Sequence, residues 1–160
     1  MLSENSDLTD NEASLSAIEI REELTRHIET LDALCAALEE LADELPSNVN
    51  NQRALYIART IYSLVCKAHL FEESIVFPFL EKSLSKNPAM RETINRLKSE
   101  HWEDESYAIE LQDGLSEFVT NRSEQDSERL GYMLRGFFEG MRRHLAFERE
   151  HILPMLREIN

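Results

Sequence analysis

The stretch LGYMLRGFFEGMRRHLAFEREHILPM, residues 130–155, places Leu130, Leu134, Phe137, Met141, His144, Glu148, His151 and Met155 at steps of three and four. That spacing lines one face of an α-helix. The same rhythm runs through the rest of the chain. Ile20, Leu24, His27, Leu31, Leu34, Leu38, Leu41 and Leu45 form a first row. Leu55, Ala58, Tyr62, Val65, His69, Glu73, Val76 and Leu80 form a second, and Ile94, Leu97, His101, Glu105, Ala108, Gln112, Leu115 and Val119 a third. Three polar breaks separate the rows, at residues 46–51, 83–88 and 120–126, and the first and second contain Pro46 and Pro88. Four helices of about 30 residues, each about 45 Å long, follow from this pattern. Connections this short favour antiparallel neighbours, so the expected fold is all-α, an up-down-up-down four-helix bundle. Pro78 and Pro154 are expected to mark the final turns of the second and fourth helices, since proline breaks the helical hydrogen-bond ladder.

Composition supports one domain. The 160 residues include 42% hydrophobic side chains, and 31 Asp and Glu against 17 Lys and Arg give a net charge of −14. This is enough apolar content for a core and too little turn chemistry, with four Gly and four Pro, for a sheet of many short strands. Residues 1–15 read as a loose acidic tail and residues 16–160 as the bundle. The acidic surface argues against nucleic acid and anionic membranes as partners. No secretory signal and no membrane-spanning run is visible, so the expected location is the cytoplasm. Cys35 and Cys66 sit at heights that do not favour a bridge, and read as small core residues of a reducing compartment.

One layer of the bundle is chemically out of place. His27, His69, His101 and His144 all lie on the apolar rows, with Glu73 and Glu148 one turn beyond two of them. Each histidine is 18 residues from a neighbouring helix end: Leu45, Asn51, Val119 and Asp126 respectively. In an antiparallel bundle all four reach one level, about 27 Å from those ends. Buried carboxylates need a partner or a metal. Four imidazoles around two carboxylates make a nitrogen and oxygen cage for two metal ions, each carboxylate bridging. Such donors suit iron or manganese and leave zinc open. His69-Leu-Phe-Glu-Glu73 with Pro78 echoes His144-Leu-Ala-Phe-Glu148 with Pro154, an internal two-fold pseudo-repeat. Glu105 and His151 are further candidates on the same rows, as ligands or as groups supporting the ligands. Gly136 and Gly140 precede His144 by two turns and one, and leave space either for close helix packing or for a small ligand.

The set His27, His69-xxx-Glu73, His101 and His144-xxx-Glu148 resembles the hemerythrin-like superfamily of HHE cation-binding domains, over residues 16–158. The resemblance implies a non-haem centre of two iron ions, ferrous or ferric, with an oxo or hydroxo bridge. Manganese and zinc rank below iron. His27, His69, His101 and His144 would be terminal ligands, with Glu73 and Glu148 as bridges. The third helix reads His101-Trp-Glu-Asp-Glu105 where oxygen-carrying hemerythrins have HxxxH, and Glu148 stands four residues after its histidine where the carriers have an aspartate at five. Both departures point away from reversible oxygen carriage and toward the iron-cluster repair proteins of the superfamily.

The expected function is binding of, or response to, O2, NO or peroxide at open iron positions, as a sensor, scavenger or redox-responsive protein. Delivery of iron to damaged iron–sulfur centres is the first alternative, with an iron–sulfur protein as partner. A structural bundle holding a redox-silent metal is the second. A metal and ligand-binding role is favoured over dedicated catalysis.

Overall fold

A computed structural model describes residues 14–121 and 124–159, of which 124 and 125 are described by backbone alone. Of the acidic tail expected at residues 1–15, residues 1–13 lie outside the described residues. The chain is all-helical, with no strand among the described residues, and forms a helical bundle of four rods. The first rod is α1 (Ala17–Glu44). The second is α2 (Asn51–Phe71), a π-helical turn (Glu72–Val76) and α3 (Phe77–Ser83). The third is α4 (Pro88–Thr120). The fourth is α5 (Glu124–Phe147), a second π turn (Glu148–Ile152) and α6 (Leu153–Glu158).

Local chemistry sets the helix starts. Ser16 caps α1 through a capping box: the Glu19 N–H donates to Ser16 Oγ at 3.3 Å, and the Ser16 N–H donates to Glu19 Oε2 at 2.8 Å. Asn50 Oδ1 accepts from the Arg53 N–H at 3.1 Å at the start of α2. Asn87 Oδ1 accepts from the Ala89 N–H at 3.1 Å, with Pro88 as the first residue of α4.

Each rod turns its apolar row inward. Leu38, Ile61, Leu97 and Leu134, one from each rod, are fully buried. α1 packs against α2 and α5, and α4 against α2 and α5, so the four rods surround one core. Arg135, Arg142 and Arg149 on the fourth rod pair with Asp43, Glu39 and Asp32 on α1. Arg53 of α2 reaches Glu40 and Glu44 of α1. These pairs lie at the half-exposed edge, where each contributes little stability but marks which helical turns face one another.

The two prolines explain the two π turns. In a continuous α-helix residues 78 and 154 would donate to the carbonyls of Ser74 and Glu150, and proline has no N–H to give. The helix widens instead, so that the Phe77 N–H bonds Glu72 O and the Leu153 N–H bonds Glu148 O, five residues back. α3 and α6 then restart with proline at their second residue, where no helical donor is required. As expected from the sequence, these proline-led segments are the last turns of their rods. Both π turns open on a glutamate, Glu72 and Glu148, and both glutamates are buried. No described helix is long and apolar enough to cross a membrane.

Candidate metal centre

Seven polar or charged residues are buried among the described residues, and five of them converge at one depth. His69 comes from α2, Glu72 from the first π turn, His101 from α4, His144 from α5 and Glu148 from the second π turn. Donor atoms of Glu72, His101, His144 and Glu148 lie within 4.8 Å of one another, as do those of His69, His101 and His144. The His69 and His101 rings stack with centroids 3.8 Å apart, and the His144 ring lies 5.2 Å from that of His101. Phe77 stacks against His101 at 5.6 Å, so the cluster has an apolar neighbour.

The hydrogen bonds hold the rings yet leave two nitrogens without partners. His101 is gripped on both sides, Nδ1 by Glu73 Oε1 at 2.8 Å and Nε2 by Glu72 Oε2 at 3.1 Å. Glu105 Oε1 meets His69 Nδ1 at 3.0 Å, and Glu148 Oε1 meets His144 Nε2 at 2.8 Å. His69 Nε2 and His144 Nδ1 are buried with no hydrogen-bond partner. Leaving such a group unpaired costs about 1–3 kcal/mol, and because His144 Nδ1 has Glu100 and Asp104 oxygens at 3.4 Å and 3.7 Å, His69 Nε2 is the nitrogen that most calls for a ligand.

Electrostatics point the same way. Burial, with the neighbouring His101 and His144, holds the His69 imidazole down at about 2, so it is a neutral donor at any ordinary pH. Burial pushes the Glu72 carboxyl well above the usual carboxylate range, and the Glu148 carboxylate beside it adds to the push. Burial also pulls on His144, but its hydrogen bond and charge interaction with Glu148 prevail and raise it. Two buried carboxyl groups facing each other want a cation between them. Neutral imidazole nitrogens and carboxylate oxygens, without thiolate, are the donors of iron, manganese or zinc sites. The residues present therefore fit a metal centre, and the number of donors suits two ions better than one.

The sequence-derived candidates fall into three groups. His69, His101, His144 and Glu148 lie in the cluster. Glu73 and Glu105 sit at its edge as the carboxylates that hold His101 and His69, both partly exposed. His27 is buried beside the centre, its ring 5.3 Å from Phe71 and its Nε2 3.3 Å from Glu23 Oε1, outside the two close groups of donors. His151 is exposed, with its ring against Phe147 at 4.5 Å, outside the two close groups of donors.

Glu72 is the cluster member that the sequence reading passed over. Counting forward from the histidines selects Glu73, four residues after His69, as Glu148 is four after His144. Counting back from the prolines selects Glu72, since Glu72 and Pro78 are separated by the same six residues as Glu148 and Pro154. The π turns obey the proline register. Glu100 and Asp104 on α4 were also passed over: their carboxylate oxygens lie 3.4 Å and 3.7 Å from His144 Nδ1.

The two glycines separate cleanly. A Cβ at Gly136 would stand 2.5 Å from Tyr107 Oη, so that glycine serves helix packing. A Cβ at Gly140 would meet only the Arg143 guanidinium at 3.9 Å, and Gly140 borders a cleft of about 350 Å³ that ends on His144.

No curated protein and no solved structure matches the chain. A family model, that of the Hemerythrin HHE cation binding domain, matches residues 19–156. That span holds every member of the buried His and Glu cluster, and the chain belongs to the hemerythrin HHE cation-binding family.

Proposed function

We propose that this chain is a non-haem di-iron protein of the cytoplasm that binds or responds to O2, NO or peroxide, as a sensor, scavenger or redox-responsive protein. The observation that carries the reading is the buried cluster of three imidazoles and two carboxyl groups, in which His69 Nε2 is buried without a hydrogen-bond partner. His69, His101, His144, Glu72 and Glu148 would hold the ions, and the family resemblance adds His27 and Glu73. Bound iron would supply a ferrous–ferric couple and open positions for a small ligand. The chain's own residues do the rest. Glu105 and Glu73 fix the orientation of the His69 and His101 rings, and Phe77 keeps water from one side of the layer.

The bundle is read as antiparallel, up-down-up-down, with a two-fold pseudo-repeat. Partners on α1 fall from Asp43 to Glu39 to Asp32 as those on the fourth rod rise from Arg135 to Arg142 to Arg149, which supports opposed directions for that pair. The matched π turns and prolines support the repeat.

The test is spectroscopic. Ferrous protein prepared without oxygen is titrated in turn with O2, NO and hydrogen peroxide, and its visible absorption is followed. A reproducible change with one of the three supports the reading. An iron-loaded protein whose spectrum none of them alters contradicts it. The open cleft that reaches His144 favours a second reading, delivery of iron to damaged iron–sulfur centres. A delivery protein loses iron to a ferrous chelator while it stays folded, and transfers it to an apo iron–sulfur acceptor.

A further inference from the structure

The cleft between α4 and α5 is built for more than packing. It opens to solvent, has a volume of about 350 Å³, and is bordered by Glu100, Asp104, Gly140, Arg143, Phe147 and the buried edge of His144. At its floor the His144 Nδ1 atom is buried and has no hydrogen-bond partner. Glu100 divides its two oxygens: Oε1 lies 3.4 Å from Arg96 Nε, whereas Oε2 lies 3.4 Å from His144 Nδ1. Asp104 Oδ2 is 3.7 Å from the same nitrogen. Donors bonded to one transition-metal ion at about 2.0–2.2 Å stand about 3–3.5 Å apart, close to these separations. Glycine weakens a helix interior, and at Gly140 no neighbour demands it, since the space beyond its Cα is the cleft itself.

We infer that this cleft is the access port through which a divalent cation reaches the buried centre, with Glu100 and Asp104 as the capturing carboxylates and His144 Nδ1 as the first inner donor. The inference rests on the metal-binding reading above and assigns work to Glu100 and Asp104, which lie outside the proposed ligand set. The carboxylates attract and partly dehydrate the ion. The imidazole, whose Nε2 already faces Glu148, joins the port to the cluster. Arg96 also lines the cleft, where its Nε lies 3.4 Å from Glu100 Oε1 and its guanidinium carbon 4.6 Å from the Phe147 ring, so that Glu100 offsets part of its charge. Arg143 remains as a positive charge at the port and opposes the passage of cations.

The test is the rate of metal uptake by metal-free full-length protein, with anaerobic ferrous iron and, separately, cobalt(II), whose visible absorption reports binding. Removing two carboxylate charges, Glu100→Gln with Asp104→Asn, should slow uptake about tenfold and leave the final ions per chain unchanged. Gly140→Met should slow it by obstruction, and Arg143→Gln should speed it. Melting curves establish that each variant is folded. Uptake at the wild-type rate in both the double variant and Gly140→Met overturns the port. So does a lowered final stoichiometry at an unchanged rate, which would make the carboxylates ligands or supports of His144. Wild-type protein that takes up neither ion overturns the metal-binding reading itself, and the port falls with it.

Discussion

Replacing His69 by leucine should make the metal-free protein more stable. His69 is 1% exposed, and its Nε2 has no hydrogen-bond partner, a penalty of about 1–3 kcal/mol that leucine removes. The substitution loses the bond from Nδ1 to Glu105, worth about 1 kcal/mol, but Glu105 is 33% exposed and returns to water. Burying a leucine of similar size against the His101 ring restores about 1–2 kcal/mol. The net gain is about 2 kcal/mol, or a rise in Tm of about 4–8 °C for a chain of this length. The gain should also depend on pH with a fixed sign. The native imidazole is held at about 2, whereas an unfolded histidine titrates near 6.5. Above pH 6.5 neither state is protonated and the linkage is silent. Below it the unfolded chain takes up a proton that the native state refuses, and wild-type stability falls by about 1.4 kcal/mol per pH unit. The advantage of His69→Leu should therefore widen from about 2 kcal/mol at pH 7.5 to about 3.5 kcal/mol at pH 5.5. Urea denaturation of both metal-free proteins at the two pH values measures it. Added metal should reverse the order, because only the wild type keeps the donor. A metal-free variant less stable than wild type, or a gap that is flat with pH, would show that the cluster is a satisfied structural core.

Four further results are expected. Glu72→Gln should weaken metal binding at least tenfold and more than Glu73→Gln does, measured by chelator competition, because Glu72 lies inside the cluster and Glu73 at its edge. Equal effects, or the reverse order, would return the bridging role to the HxxxE spacing. Gly140→Ala should stabilise the bundle by about 0.5–1 kcal/mol, the ordinary gain of a helix interior. Gly136→Ala should show no such gain, because its Cβ displaces the Tyr107 hydroxyl from the Met133 carbonyl; the comparison is a pair of urea curves. Ser16→Ala should cost about 1 kcal/mol, or about 2–4 °C in Tm, by removing the α1 capping box.

Helix periodicity carries the fold almost by itself, because each row of leucines and isoleucines makes sense on one helical face and on no strand. The breaks are equally plain, since Pro46, Asn50, Asn87 and Pro88 have specific jobs at helix ends. The histidines of the cluster stand out because imidazoles on an oily row need a reason. Glu72 stayed hidden for a physical cause: residues three and four after His69 share its helix face, and only the widened turn ahead of Pro78 decides between them. Glu100 and Asp104 carry no mark in the sequence. Their place beside His144 comes from how α4 lies against α5, a relation between rods that spacing along one chain does not encode. His27 is matched in depth to the other histidines, and its ring lies beside Glu23 and Phe71.

A pair of iron ions in the His and Glu cluster is tested by metal content per chain together with the ultraviolet–visible spectrum, on protein from iron-supplemented cells. A di-iron protein should hold close to two iron atoms per chain and show charge-transfer bands in the near ultraviolet, both lost in a His101→Ala variant. A folded protein that holds one zinc ion or no metal would contradict the di-iron reading.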